Sequence, residues 1–384
     1  MIPYGRQDID EADIRAVVSV LRSDFLTQGP AVPAFETAVS AHCGARHALA
    51  MNSATSALHV ACIALGVGPG DIVWTSPVTF VASANCALYC GATVDFVDID
   101  PVTYNLSPDR LAEKLAHAEQ IGRLPKAIIP VHHCGQSCDM AAIHALAQKY
   151  GFQIIEDASH AIGAKYLDQP VGNCRFSDIA IFSFHPVKII TTGEGGMAVT
   201  NDPALAGRME RLRSHGITRD PECMTHFPDG PWYYQQIELG FNYRMTDIEA
   251  ALGMSQMRRL EGFVDRRNAL SYRYDTLLRD LPLTIPKQLP EAVSSRHLYV
   301  IRLQASRPTH LDVFRHLRKS GIGVNLHYIP IYLQPYYQDL GFRPGHCPEA
   351  ERYYGEAISL PLYSAMTDEQ QDQVVSALEN ALRA

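Results

Sequence analysis

The 384-residue chain carries 41 Asp and Glu against 33 Lys and Arg, a net charge of -8, with 47% hydrophobic and 19% charged residues. This length suits a large domain plus a smaller one, and the dispersed acidic charge argues against general nucleic-acid binding. No stretch approaches the roughly 18 apolar residues that span a bilayer, and nine irregularly spaced cysteines read as reduced thiols, not a disulfide frame.

The opening segment MIPYGRQDIDEADIRAVVSVLRS brings in Asp and Glu early and lacks a continuous apolar stretch, so no cleaved signal is expected and a cytoplasmic location is. From there to about residue 250, short β-rich runs alternate with helical ones. ARHALAMN leads into SATSALHVACIALG, and DIVWTSP leads into VTFVASANCALYCG. ATVDFVDID, KAIIPVHH, FQIIEDAS and DIAIFSFH are further strands, with MAAIHALAQKYG a helix between two of them. This pattern predicts an α/β fold, a mostly parallel sheet with helices on both faces, in which ligands bind at the carboxyl ends of the strands.

Near residue 246 the pattern changes. Thr246 and Glu249 form a T-x-x-E capping box that opens a long helical stretch to about residue 281, with Gly253 and Gly262 as candidate bends. LPLTIPKQLPE breaks the pattern, then HLYVIRL reads as a strand, LDVFRHLRKSG as a helix and GIGVNLHY as a strand. The expected organisation is a large domain over 1–249 with an N-terminal arm, and a smaller α+β domain over 250–384 entered through the long helix.

Several polar residues fall just after predicted strands. Asn52, Ser53, Ala54 and Thr55 open a helix, where small hydroxyl residues serve as a plain N-cap or leave free N–H groups for a phosphate. Asp157 ends FQIIED, and a carboxylate there needs a partner: a cationic ring nitrogen or an arginine. Ser183 follows DIAIF. Lys188 lies five residues on, between Val187 and Ile189, and an amine in apolar surroundings gains the free-base character that a Schiff-base lysine needs, although a lone loop lysine is ordinarily solvated.

GEGG at 193–196 allows close backbone approach but is neither a P-loop nor a dinucleotide fingerprint, and GVGPGD at 66–71 follows a helix, as a C-cap and turn would. Phe80 suits stacking on a flat ring or a place in the core. HHCGQSC, with His132, His133, Cys134 and Cys138, fits zinc only loosely, because no second Cys/His pair at ligand spacing follows; no metal is expected.

Taken in order, QGPAVPAFE, NSATSALHVA, SPVTFVASANCALYCGA, PVHHCGQSCDM, IIEDASHAIGA, FSFHPVKIITTGEGGM, RSHGI and LGFNYRMTDIEAALG cover most of residues 1–256. In this order the chain resembles the DegT/DnrJ/EryC1/StrS sugar aminotransferases, enzymes of fold type I that use pyridoxal 5'-phosphate (PLP). The resemblance implies that Lys188 bonds PLP, that Asp157 faces its ring nitrogen and that His160 lies beside the cofactor. Ala54, Thr55 and Ser183 would cradle the phosphate, with Phe80 over the ring. Asn242, in GFNYR, would reach the phosphate in a neighbouring subunit, which makes the active unit a homodimer with shared sites. His327 and Tyr328 match positions near the nucleotide sugar.

GIGVNLHYIPIYLQPYY at 321–337 resembles the branch acting on UDP-linked sugars on the route to pseudaminic acid. It implies transfer of an amino group from L-glutamate to C4 of a UDP-linked 4-keto-6-deoxy N-acetylhexosamine. Two positions bear on the match. Arg296 stands where relatives often carry Trp, which touches the nucleotide contacts, and Lys188 stands where a sister group of dehydratases carries His, which favours amino transfer. The alternatives are a dTDP- or GDP-linked keto sugar as acceptor, a non-catalytic PLP-binding regulator, or a zinc enzyme using the His-Cys cluster.

Overall fold

A computed structural model describes residues 1–304 and 308–383, so residue 384 and three residues within the expected 250–384 domain lie outside it. Seven strands form the main sheet: β1 (His47–Met51), β2 (Ile72–Thr75), β3 (Thr93–Phe96), β4 (Ala127–Ile129), β5 (Gln153–Asp157), β6 (Ile179–Ser183) and β7 (Gly196–Thr200). Their order is β1-β7-β6-β5-β4-β2-β3. Neighbours from β6 to β3 pair in parallel, while β7 is antiparallel to both β6 and β1. The sheet is therefore mixed but mostly parallel, and its central strands are buried along their length, as sheets covered on both faces require.

Alternate residues of β6 and β7 feed opposite cores. Ile179, Ile181 and Ala198 pack with Leu58 and Met209, which come from α3 (Ala54–Ala64) and α7 (Pro203–Leu212). Ala180, Phe182, Met197 and Val199 pack with Phe35, Val39 and Ala250 on the other face. Those last residues come from α2 (Ala31–Cys43) and α8 (Asp247–Met257), and α8 also packs against α1 (Glu11–Leu21). Helices α4 (Ala82–Tyr89), α5 (Pro108–Gln120) and α6 (Met140–Tyr150) complete the layers. In α5, Ser107 caps Arg110 N–H, Pro108 sits in the first turn, and Leu111, Leu115 and Ala118 recur on the buried stripe.

The Thr246–Glu249 capping box forms as expected, but the helical stretch after it is two helices. It breaks at Arg258 and Arg259, not at a glycine, and α9 (Leu260–Leu277) follows. The cause is tertiary: Arg259 pairs with Asp8, Asp10 and Asp13, which ties the break to the N-terminal arm. Beyond it, β8 (Leu283–Thr284), β9 (Tyr299–Leu303) and β10 (Ala357–Leu360) make a small antiparallel sheet. It packs with Leu270 and Tyr274 of α9, Leu317 of α10 (His310–Lys319) and, past α11 (Pro335–Asp339) and α12 (Pro348–Glu356), Val374 and Leu378 of α13 (Asp368–Arg383). Ile2 crosses to this core, bonded to Gly321 and Gly323. GIGVNLHY, expected as a strand, is not one: Ile322 bridges Ile2, Asn325 bridges Ser359, and the segment then turns away from the sheet. Pairing first one neighbour and then another leaves no continuous ladder.

Candidate active site

The carboxyl ends of β1, β2, β4, β5 and β6 open on one cavity of about 550 Å³. From β1 come Ser53, Ala54 and Thr55; from β2, Thr79, Phe80 and Ser83; from β5, Asp157, Ser159 and His160; from β6, Ser183 and Lys188. His297 and the Asn325–Tyr328 turn close it from the other half of the chain, and Tyr4 reaches in from the N-terminal arm. A larger groove of about 670 Å³ runs along edge strand β3, but none of these strand-end residues faces it.

Ser53 caps α3, its Oγ accepting from Ser56 N–H at 3.1 Å. The first helical N–H groups, at Ala54 and Thr55, have no carbonyl behind them and carry the positive end of the helix dipole toward the cavity. The turn rests directly on β7: a Cβ added at Gly196 would clash with the Ala54 amide nitrogen and the Ser53 carbonyl carbon. Cap and anion cradle, the two readings of this segment, are thus compatible.

Asp157 is buried, with one oxygen accepting from Ser83 Oγ at 2.6 Å and the other from Ser159 N–H at 3.1 Å. Among the described residues it makes no ion pair, so the arginine partner considered from sequence is not there. Lys188 sits half-buried on the same cavity wall. Burial lowers its pKa to about 8, against the opposing pull of the Asp157 carboxylate.

Phe80 is 59% exposed and tilts toward Tyr328 with ring centroids 6.4 Å apart, so the core reading of this aromatic does not hold. His160 meets the Tyr328 hydroxyl at 3.3 Å and packs on His297, centroids 4.3 Å apart. Burial, then the Lys188 charge, holds both imidazoles neutral. His327 donates from Nδ1 to Ser359 Oγ at 2.8 Å and accepts at Nε2 from Asn325 at 3.3 Å. Asn242 is exposed and does not line its own chain's cavity.

The His-Cys cluster has structural partners. His132 accepts from Cys138 N–H at Nδ1 (3.2 Å) and therefore donates Nε2–H to Glu156 (2.7 Å), and His133 bonds Tyr353. Among the described residues no three His, Cys, Asp or Glu side chains are grouped as metal ligands. Sequence reasoning missed Ser83, Ser159, His297, Asn325 and Tyr4. Ser83 and Ser159 stood inside quoted motifs, whereas Tyr4 gave no signal, since only the fold brings the arm over the site.

The residues present fit PLP. A buried carboxylate without a cationic partner suits a protonated pyridine nitrogen, a helix N-terminus suits a phosphate, and a lysine with lowered pKa suits attack on an aldehyde. Fold and site together define the class, a PLP-dependent aminotransferase of fold type I. The chain belongs to the DegT/DnrJ/EryC1/StrS aminotransferase family, which matches residues 7–379. It is 37% identical to the spore coat polysaccharide biosynthesis protein SpsC of Bacillus subtilis, over 100% of this chain and 97% of that one. It is 38% identical to the UDP-4-amino-4,6-dideoxy-N-acetyl-beta-L-altrosamine transaminase of Campylobacter jejuni, over 95% and 93%. The solved structure of Helicobacter pylori PseC, an aminotransferase involved in the biosynthesis of pseudoaminic acid, superposes with a TM-score of 0.91 at 32% identity, covering 100% of this chain and 99% of that one. The protein is a sugar aminotransferase that uses PLP.

Proposed function

We propose that the chain transfers the amino group of L-glutamate to C4 of a UDP-linked 4-keto-6-deoxy N-acetylhexosamine, giving a 4-amino sugar nucleotide for pseudaminic acid synthesis. One observation carries this reading. The cavity joins Lys188 and Asp157 on one wall to the His327–Tyr328 turn on the other, which leaves room for a sugar between them. The Campylobacter relative, named a transaminase of a UDP-linked 4-amino-4,6-dideoxy sugar, and the Helicobacter structure, titled an aminotransferase of pseudoaminic acid biosynthesis, support the choice of acceptor.

PLP, when bound, supplies an electron sink for the carbon that loses or gains its proton. Asp157 would face the ring nitrogen and favour its protonated form, with Ser83 and Ser159 holding the carboxylate in place. Ala54, Thr55 and Ser183 bind the phosphate, which fixes the ring's orientation. His160 and Phe80 bound the ring's surroundings. Lys188 would be the general base for the proton on the donor's Cα, its amine lining the same cavity as Asp157.

We further propose the two-part organisation into 1–249 and 250–384, with the mechanical break at Arg258 and Arg259, and a cytoplasmic homodimer. Asn242 lies on the surface beside a segment whose Phe227, Trp232 and Leu239 are 95%, 72% and 79% exposed, a patch that suits a second copy of the chain.

The test supplies L-glutamate and a panel of UDP-, dTDP- and GDP-linked 4-keto sugars and follows 2-oxoglutarate and the aminated product by mass. Amination confined to the UDP-linked N-acetylhexosamine supports the reading. Preference for a dTDP or GDP sugar, or no amination at all, overturns it.

A further inference from the structure

The reaction uses no member of the HHCGQSC motif, and His133 of that motif is buried behind the site, its ring 6.0 Å from that of His160. Its Nε2 lies 3.1 Å from Tyr353 Oη, and Tyr353, fully buried on α12, lies 2.7 Å from the carbonyl oxygen of His327. A carbonyl only accepts, so the single hydroxyl proton of Tyr353 goes to His327, and the hydroxyl oxygen must accept from His133 Nε2–H. This fixes the tautomer: His133 Nδ1 carries a lone pair, and that atom is indeed buried without a partner. Burial above all, with the Lys188 charge behind it, pushes the His133 pKa down to about 3, so the ring stays neutral at any working pH. The chain of bonds runs from the loop after β4, through the C-terminal part of the molecule, to the turn that faces the cavity.

Resting on the sugar-aminotransferase reading above, we infer that His133 and Tyr353 are a positioning pair that holds the His327 carbonyl, and with it the Asn325–Tyr328 turn, in place for the nucleotide sugar. Neither side chain lines the cavity; both act through the turn. The turn is also held by the Asn325–Ser359 backbone bridge, by His327 on Ser359 and by Tyr328 on His160, so loss of the pair loosens it without unfolding it.

The test uses the PLP-loaded enzyme. Tyr353→Phe keeps the ring packed on Tyr104 (centroids 4.9 Å) and removes only the hydroxyl. Its KM for the keto sugar and its calorimetric Kd for UDP-N-acetylglucosamine are expected to rise about ten-fold, the worth of one buried hydrogen bond, with kcat and amino-group uptake from L-glutamate within about two-fold of wild type. His133→Leu gives a smaller rise and His133→Gln, which keeps a donor, gives none. The double variant His133→Leu/Tyr353→Phe is no worse than Tyr353→Phe, because each change removes the group the other leaves unpaired. An unchanged sugar KM and Kd in Tyr353→Phe, or an equal loss toward glutamate, overturns the inference alone. A wild-type enzyme that takes the amino group from glutamate but aminates no keto sugar overturns the reading and the inference with it. Should Tyr353→Phe unfold, the His133→Leu and His133→Gln pair decides by the same readouts.

Discussion

At Lys188 two forces meet: removal from water, which favours the neutral amine, and the Asp157 carboxylate, which favours the charged one. Burial wins, leaving the pKa near 8 instead of the usual 10.5. Bond formation to an aldehyde needs the free amine. Uptake of PLP by the apoenzyme should therefore rise about ten-fold per pH unit below 8 and level off above it, followed as absorbance of the bound cofactor. Borohydride reduction and peptide mapping should find the adduct on Lys188, and Lys188→Ala should lose it and turnover while melting as wild type does. Asp157→Asn keeps the Ser83 contact but loses the charge proposed to face the ring nitrogen, and is expected to lower kcat by about 10²–10³-fold. A steady-state assay checks this, and activity close to wild type would remove Asp157 from its role. The identities of Lys188 and Asp157 were legible in the sequence, but the choice between a catalytic amine and a solvated one, or between a ring partner and an arginine partner, was not. That choice depends on what lies across the cavity, and Ser83 is 74 residues from Asp157 in sequence.

Among elements, the turn from β1 into α3 depends on a strand distant in sequence. Gly196 opens β7, and any side chain there meets the backbone of Ser53 and Ala54. Gly196→Ala should cost about 1–3 kcal/mol of stability, the usual range for overpacking, and should weaken PLP binding, because the displaced groups are the N–H donors of the cradle. Thermal unfolding with and without PLP measures both. An equal loss in the two conditions would show that the cradle had not moved. Elements with local signals were readable: strands as apolar runs, α6 from its periodic run and α8 from its capping box. The failures were elements set by long-range contacts. The bend after α8 follows Arg259 and its three aspartates, not the flexible Gly253 or Gly262. GIGVNLHY has strand-like composition, but its backbone partners lie on two separate segments.

Across the whole molecule, the site is assembled from the sheet, the N-terminal arm, His297 and the Asn325–Tyr328 turn, and the proposed homodimer adds Asn242 from a second chain. Mixing offers a direct check. Lys188→Ala and Asn242→Ala chains, each expected to be impaired alone, should regain about a quarter of wild-type activity after subunit exchange, since half of the molecules become mixed and each of these carries one intact site. No recovery in a mixture shown to exchange would separate Asn242 from the neighbour's site. Taken alone, the sequence determined the α/β alternation, the strand-end positions of Asp157, Ser183 and Lys188, and the family pattern, because hydrophobic period, caps and motif spacing are written in consecutive residues. Only the tertiary structure decided which polar groups meet. Asp247, in the first turn of α8, accepts from Gly29 and Ala31 N–H and so caps α2, Ser83 holds Asp157, and Tyr353 joins His133 to His327. A buried polar group must find its partner in space, and chain order sets no limit on where that partner comes from.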